Sequence, residues 1–122
     1  MSSAQPAALG GLLNVDKPAG WTSHDVVGRV RRLAGLRQGG HAGTLDPMAT
    51  GVLVLCLGRA TRLLEYLTGQ PKIYLAEVTL GVATNTYDAE GDVVSQQPVP
   101  ALSAAQIDRA LDAFRGAIMQ RP

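Results

Sequence analysis

Two adjacent stretches constrain the fold of this 122-residue chain more than anything else in it. Gly39-Gly40-His41-Ala42-Gly43-Thr44-Leu45-Asp46-Pro47 is too rich in glycine and too interrupted for regular structure. Shortly after it, Val52-Leu53-Val54-Leu55-Cys56-Leu57 is a continuous apolar run of strand length, of the kind buried on both faces. A core strand is therefore expected to begin just beyond an irregular loop. Pro47 fixes its own φ and biases Asp46 toward an extended conformation, so the loop is expected to project Asp46 from a rigid turn.

The flanking elements follow from spacing and caps. Gly11 to Asp16 reads as a short strand closed by the turn Lys17-Pro18-Ala19-Gly20. Thr22 or Ser23 caps a helix with Val26, Val27, Val30, Leu33 and Ala34 at helical spacing, and Gly35 stops it. Arg59 to Leu67 reads as a short helix with Leu63, Leu64 and Leu67 inward. Lys72 to Leu80 reads as a strand, Thr84 to Gly91 as turns, and Asp92 to Gln96 as a return strand. Ser103 and Gln106 spell a capping box, with Leu102 and Ile107 as its staple. Ile107, Ala110, Leu111 and Phe114 are then the buried face, and Gly116 the end. Ala117 to Gln120 looks like the start of a strand. Strands and helices mix without strict βαβ alternation. The expected class is α+β, a mixed or antiparallel sheet with flanking helices.

Composition narrows the function. No apolar run approaches the roughly 20 residues that span a bilayer, so no membrane partner is expected. Met1 to Leu9 lacks a basic n-region and a long apolar stretch, and is expected to be a flexible N-terminal tail of a cytoplasmic protein. The lone Cys56 has no disulfide partner and suits a small buried hydrophobe in a reducing compartment. His24 and His41 without partner cysteines do not suggest a metal site.

Net charge is +1, but it is unevenly spread. Arg29, Arg31, Arg32, Arg37, Arg59, Arg62 and Lys72 face only Asp46 and Glu65 over that span, whereas five acids face only Arg109 between Asp88 and Asp112. A basic half suits a polyanionic partner, although arginines on a solvated helix face would look the same. The P-loop pattern is absent, as is any recognisable spacing for a Ser-His-Asp arrangement. Taken singly, Asp46-Pro47 could merely start a turn, His41 could be a plain loop residue, and Tyr74 a strand aromatic.

The full string Gly40-His41-Ala42-Gly43-Thr44-Leu45-Asp46-Pro47-Met48-Ala49-Thr50-Gly51 resembles the catalytic motif of the TruB family of pseudouridine synthases. Leu13 to Ser23 is similar to the family's box around Lys17-Pro18, and Leu57-Gly58-Arg59-Ala60-Thr61-Arg62 to its L-G-x-A-T-[KR] segment. Lys72-Ile73-Tyr74 is similar to K-x-Y, and Leu80-Gly81 with Thr84 to Gly91 to L-G-x-x-T-[DN]-T-x-D-x-x-G, with Asn85 where many members carry aspartate. Phe114-Arg115-Gly116 and Gln120-Arg121-Pro122 lead toward the family's Q-x-P-P box. Ordered matches run from about Leu12 to Pro122.

The resemblance implies a tRNA pseudouridine synthase acting on T-loop uridine 55. Asp46 would be the catalytic nucleophile or base. His41 would enter the T-loop as the base flips out, and Tyr74 would lie against the uracil. Isomerisation without redox change or group donor implies no cofactor and no metal. The implied partner is tRNA, with no obligate protein partner. The six arginines are candidates for phosphate contact, none singled out. Lys17 and Pro18 read as braces for the turn beside the loop.

By the same resemblance residues 10–122 form the N-terminal part of a catalytic domain. Its other half, with a basic partner for Asp46, and an RNA-binding domain would lie beyond. An RNA-binding or tRNA-folding module without turnover is thus the alternative. The catalytic subunit of a guide-RNA-directed complex is a third reading, disfavoured by the short N-terminus.

Overall fold

The computed structural model describes residues 10–120, so the expected tail at residues 1–9, and Arg121 and Pro122, lie outside the described residues. The chain divides into two compact units, with the break after Tyr74. In the first unit, strand β1 (Gly11–Lys17) leads through the Lys17–Gly20 turn to helix α1 (Ser23–Ala34). Then come β2 (Gly39–His41) and β3 (Gly51–Leu57), a 3-10 turn at Gly58–Leu63, and the one-turn helix α2 (Leu64–Leu67). The sheet is antiparallel in the order β1-β3-β2. In the second unit, β4 (Val82–Thr84) pairs antiparallel with β5 (Val93–Gln96), and helix α3 (Ala104–Leu111) follows. The α+β class with antiparallel sheets is as expected. No helix among the described residues is long and apolar enough to cross a membrane.

Thr22, rather than Ser23, caps α1. Its hydroxyl accepts from Asp25 N at 3.0 Å, and the Asp25 carboxylate accepts from Thr22 N at 3.0 Å. Gly35 ends the helix at φ 66°, where a side chain would be strained. The apolar stripe so oriented packs Val26 and Val27 onto Leu53 and Leu55 of β3, with Leu45, Val15, Val30 and Ala49 completing the cluster. Complete burial of each such leucine stabilises the fold by roughly 1.5–3 kcal/mol.

Several expectations need correction. Gly39–His41 is a strand, because its backbone completes the edge of β3 (Gly39 opposite Leu57, His41 opposite Leu55). Glycine is what admits it. A Cβ at Gly39 would lie 2.8 Å from Arg31 Cγ on one face, and one at Gly40 would lie 2.6 Å from Leu64 Cδ1 on the other. β3 is buried on both faces only toward its end: Cys56 is fully enclosed, yet Val52 is 68% exposed. Burial pushes the Cys56 thiol pKa up.

The Arg59–Leu67 segment is 3-10 before it is α, with Leu64 and Leu67 half-buried and Leu63 exposed. Residues 72–80 form no strand, since no backbone hydrogen bond joins them to a ladder among the described residues. Strand pairing falls instead at Val82–Thr84. The Ser103–Gln106 capping box is present, but Ile107, Leu111 and Phe114 are exposed, because nothing in the described part of the second unit covers that face. Ala117–Gln120 is likewise not a strand.

Candidate active site

The loop between β2 and β3 carries Asp46, and its backbone is fixed on both sides of that residue. On one side Leu45 is a core residue, 6% exposed. Its amide donates to Ser23 Oγ at 2.9 Å, and the same hydroxyl donates to the Leu45 carbonyl at 3.1 Å. On the other side the Pro47 carbonyl accepts from Lys17 Nζ at 3.0 Å and from Gly20 N at 2.8 Å. Lys17 is completely buried, and its ammonium also donates to the Trp21 carbonyl at 2.6 Å and the Pro18 carbonyl at 3.1 Å. Three carbonyl oxygens thus solvate a charge that has no counter-ion among the described residues. Asp46 O accepts from Ala49 N at 3.0 Å, closing a turn with proline at its second position.

Asp46 itself stays exposed, and its carboxylate makes no hydrogen bond or ion pair among the described residues. The arrangement is a rigid pedestal beneath a free anionic group, suited to a nucleophile or base that must be aimed before substrate arrives.

His41 ends β2. Register opposite Leu55 puts its side chain on the face that α1 covers. Its Nδ1 is buried without a hydrogen-bond partner among the described residues. Tyr74 closes the same compact unit and is 60% exposed. No hydrogen bond joins Asp46, His41 and Tyr74 to one another. His41 ends the strand that leads into the loop carrying Asp46, and Tyr74 shares only the unit with them.

Two contributors were not singled out for the site in the sequence. Ser23 holds Leu45 through both backbone atoms; it lies in the Lys17–Ser23 box, but there its hydroxyl is indistinguishable from a helix cap. Lys72 lies over Gly43, at φ 99°, where a Cβ would collide with Lys72 Nζ, so a cation stands beside the loop. Asn85, in the second unit, ties the β4–β5 turn: it accepts from Asp92 N at 3.0 Å through its side chain.

Residues 31–122 match the model of the TruB family pseudouridylate synthase N-terminal domain. The chain belongs to the TruB family. Among curated TruB relatives, the tRNA pseudouridine synthase B of Arthrobacter sp. (strain FB24) is 60% identical over 114 residues, 93% of this chain and 37% of that protein. That of Synechococcus sp. (strain WH7803) is 56% identical over 112 residues, 92% of this chain and 37% of that protein. The chain therefore spans about 37% of the length of these relatives. A chain in the crystal structure of a Cbf5-Nop10-Gar1 complex superposes with a TM-score of 0.60 at 28% identity, over 94% of this chain and 29% of that one.

Proposed function

We propose that residues 10–122 are the catalytic-loop portion of a cytoplasmic tRNA pseudouridine synthase, converting T-loop uridine 55 to pseudouridine with Asp46 as its essential carboxylate. The observation that carries this reading is the clamped loop. Ser23, Lys17 and Gly20 fix Leu45 and Pro47, while the carboxylate between them is left free. The reaction breaks the N1–ribose bond, turns the uracil and rejoins it through C5. Asp46 serves as nucleophile at C1′ or C6, or as base at the ribose 2′ carbon, and all three uses need an ionised group held still. His41 fills the space left by the flipped base, and Tyr74 offers its ring to the uracil and its phenol toward the C5 proton. The basic span from Arg29 to Lys72 suits the phosphates.

For the 122 residues alone, tRNA binding without turnover is the second reading. It is favoured because no basic side chain pairs with Asp46 among the described residues.

A chimera tests the assignment: this chain replaces the matching segment of the Arthrobacter relative, and tritium release from C5-tritiated uridine in tRNA is followed. The chimera is expected to turn over. Asp46→Asn, which keeps shape but not charge, is expected to abolish release while tRNA affinity stays within about tenfold, or 1.4 kcal/mol. Release by Asp46→Asn above about a hundredth of the parent rate, a barrier change of less than about 2.7 kcal/mol, would remove Asp46 from the chemistry.

A further inference from the structure

A concavity at the end of α1 gathers cations that the clamped loop does not use. It is lined by His24, Gly28, Arg31, Arg32, Leu36 and Arg37, with no carboxylate among its lining residues. The ion pairs among the described residues all belong to Arg115, with Asp108 and Asp112, so these three guanidiniums have no protein counter-charge there. Basic residues in a last helical turn are commonly explained by the helix dipole. That accounts for Arg31 and Arg32, but not for Arg37 beyond the helix or for how Arg31 is seated. The Arg31 stem lies flat across β2, so close that a Cβ at Gly39 would meet its Cγ at 2.8 Å and its Cδ at 3.0 Å. Its Nε is buried without a partner among the described residues. An arginine stem packed over a glycine has less freedom left to lose when its fork binds a ligand.

We infer that this cleft binds the phosphodiester backbone of RNA, with Arg31, Arg32 and Arg37 as the contacting residues. Guanidinium forks match phosphate oxygens, and three of them unopposed suit successive phosphates better than a single carboxylate ligand. The partner class rests on the reading of the adjacent loop as RNA-modifying. Gly39, which seats Arg31, and His41 share one face of β2, about 7 Å apart at roughly 3.3 Å per residue. The seat of Arg31 thus lies on the strand that leads directly into the loop carrying Asp46.

The test measures tRNA binding to the 122-residue chain by fluorescence anisotropy across a salt series. Replacing Arg31, Arg32 and Arg37 together by glutamine is expected to weaken binding at least about tenfold near 0.15 M salt. It should also flatten the slope of log affinity against log salt by about 2 to 3, or roughly 0.7–0.9 for each of the three lost phosphate contacts. Arg115→Gln, outside the cleft, should leave the slope unchanged. Gly39→Ala keeps the charge count and displaces the Arg31 stem, and should weaken binding about threefold, which diffuse charge attraction would not produce.

An unchanged slope in the triple variant, a parent-like Gly39→Ala with Trp21 fluorescence intact, or equal competition by polyglutamate and tRNA would each overturn the proposal. Failure here is separable from failure of the functional reading. A chimera that turns over while the triple variant binds normally sinks only the cleft. A cleft that behaves as expected beside a chimera without turnover sinks only the chemistry.

Discussion

The two units of this chain carry equally clear local structure and very different burial. Up to Tyr74, Val26, Val27, Leu45, Leu53, Leu55, Cys56 and Leu57 are enclosed. From Leu75 on, no described residue is buried, yet β4 and β5 pair and α3 has the same reciprocal cap as α1. Hydrogen-bonded local structure is set by residues a few positions apart. Burial is set by residues far away in sequence. The loop that carries Asp46 belongs to the unit where both are satisfied, and Leu45, one position before Asp46, is part of its core.

The sharpest way to break this contrast is to truncate one leucine in each unit. Leu55→Ala, at a completely buried position, is expected to cost about 2–5 kcal/mol. Leu111→Ala, at a position 48% exposed, should stay within about 0.5 kcal/mol. Urea unfolding followed by Trp21, the sole tryptophan, reads the first unit, and far-UV circular dichroism the second. Equal costs would mean that the exposed face of α3 is covered in solution.

A smaller but more specific loss is expected at Lys17. Lys17→Met keeps most of the volume and removes the donor to the Pro18, Trp21 and Pro47 carbonyls, for about 2–3 kcal/mol in the same unfolding assay. In the chimera it should lower the turnover rate more than tRNA affinity, because the loop is loosened rather than its binding groups removed. A variant with normal turnover would show that the pedestal does not aim Asp46.

What the sequence discloses follows the same division between local and remote causes. The cap at Ser103, the start of α1 at Thr22 or Ser23, the stop at Gly35, the strand before Lys17 and the apolar strand ending at Leu57 all depend on near neighbours or strong periodicity, and all are legible in the order of residues alone. The bracing role of Lys17 is also legible through the motif around it. β2 is not: Gly39 and Gly40 look like loop residues, and only the approach of Arg31 and Leu64 from opposite faces explains why side chains are excluded there. Periodicity marks Ile107, Leu111 and Phe114 as one face of α3, but carries no information on whether anything covers it. Residues 72–80 have strand composition without a ladder partner among the described residues, and composition cannot supply one. Ser23 is the instructive case at the site. Beside Thr22 it is one of two equivalent caps, and only the fold assigns one hydroxyl to the helix and the other to Leu45.

Ser23 and Ser103 give the next comparison. Ser23→Ala strands the buried amide and carbonyl of Leu45 and is expected to cost about 1–2 kcal/mol in the unfolding of the first unit. Ser103→Ala removes the N-cap of α3 and should cost about 1 kcal/mol. That loss should be confined to α3, because no core transmits it. Amide hydrogen exchange separates the two. Ser23→Ala should speed exchange across β2, β3 and α1 together, and Ser103→Ala only in α3. Exchange spreading from Ser103 into β4 and β5 would show that the second unit is more cooperative than its burial implies.

The smallest expected effect sets the two capping boxes against each other, since one is titratable and the other is not. Asp25 closes the box of α1, and the hydrogen bonds it accepts from Thr22 hold its carboxyl pKa below the ordinary value, with the nearby positive charge of His24 adding to the shift. A depressed folded pKa means that its stabilisation is present above the unfolded carboxylate value and is lost as pH falls through the lower folded one. The loss is therefore confined to acid, below about pH 4. Gln106 closes the box of α3 with an amide oxygen that does not titrate in this range. On acidification from about pH 6 to about pH 2.5, a window that brackets the carboxylate range, the amide resonance of Thr22 should move with the protonation of Asp25, and exchange in the first turn of α1 should quicken. Ser103 and Gln106 should show no titration of their own. Asp25→Asn should remove the movement at Thr22 while leaving an uncharged box of the α3 kind. A Thr22 amide that stays still to the acid end of that window would mean that its bond to the Asp25 carboxylate does not persist in solution.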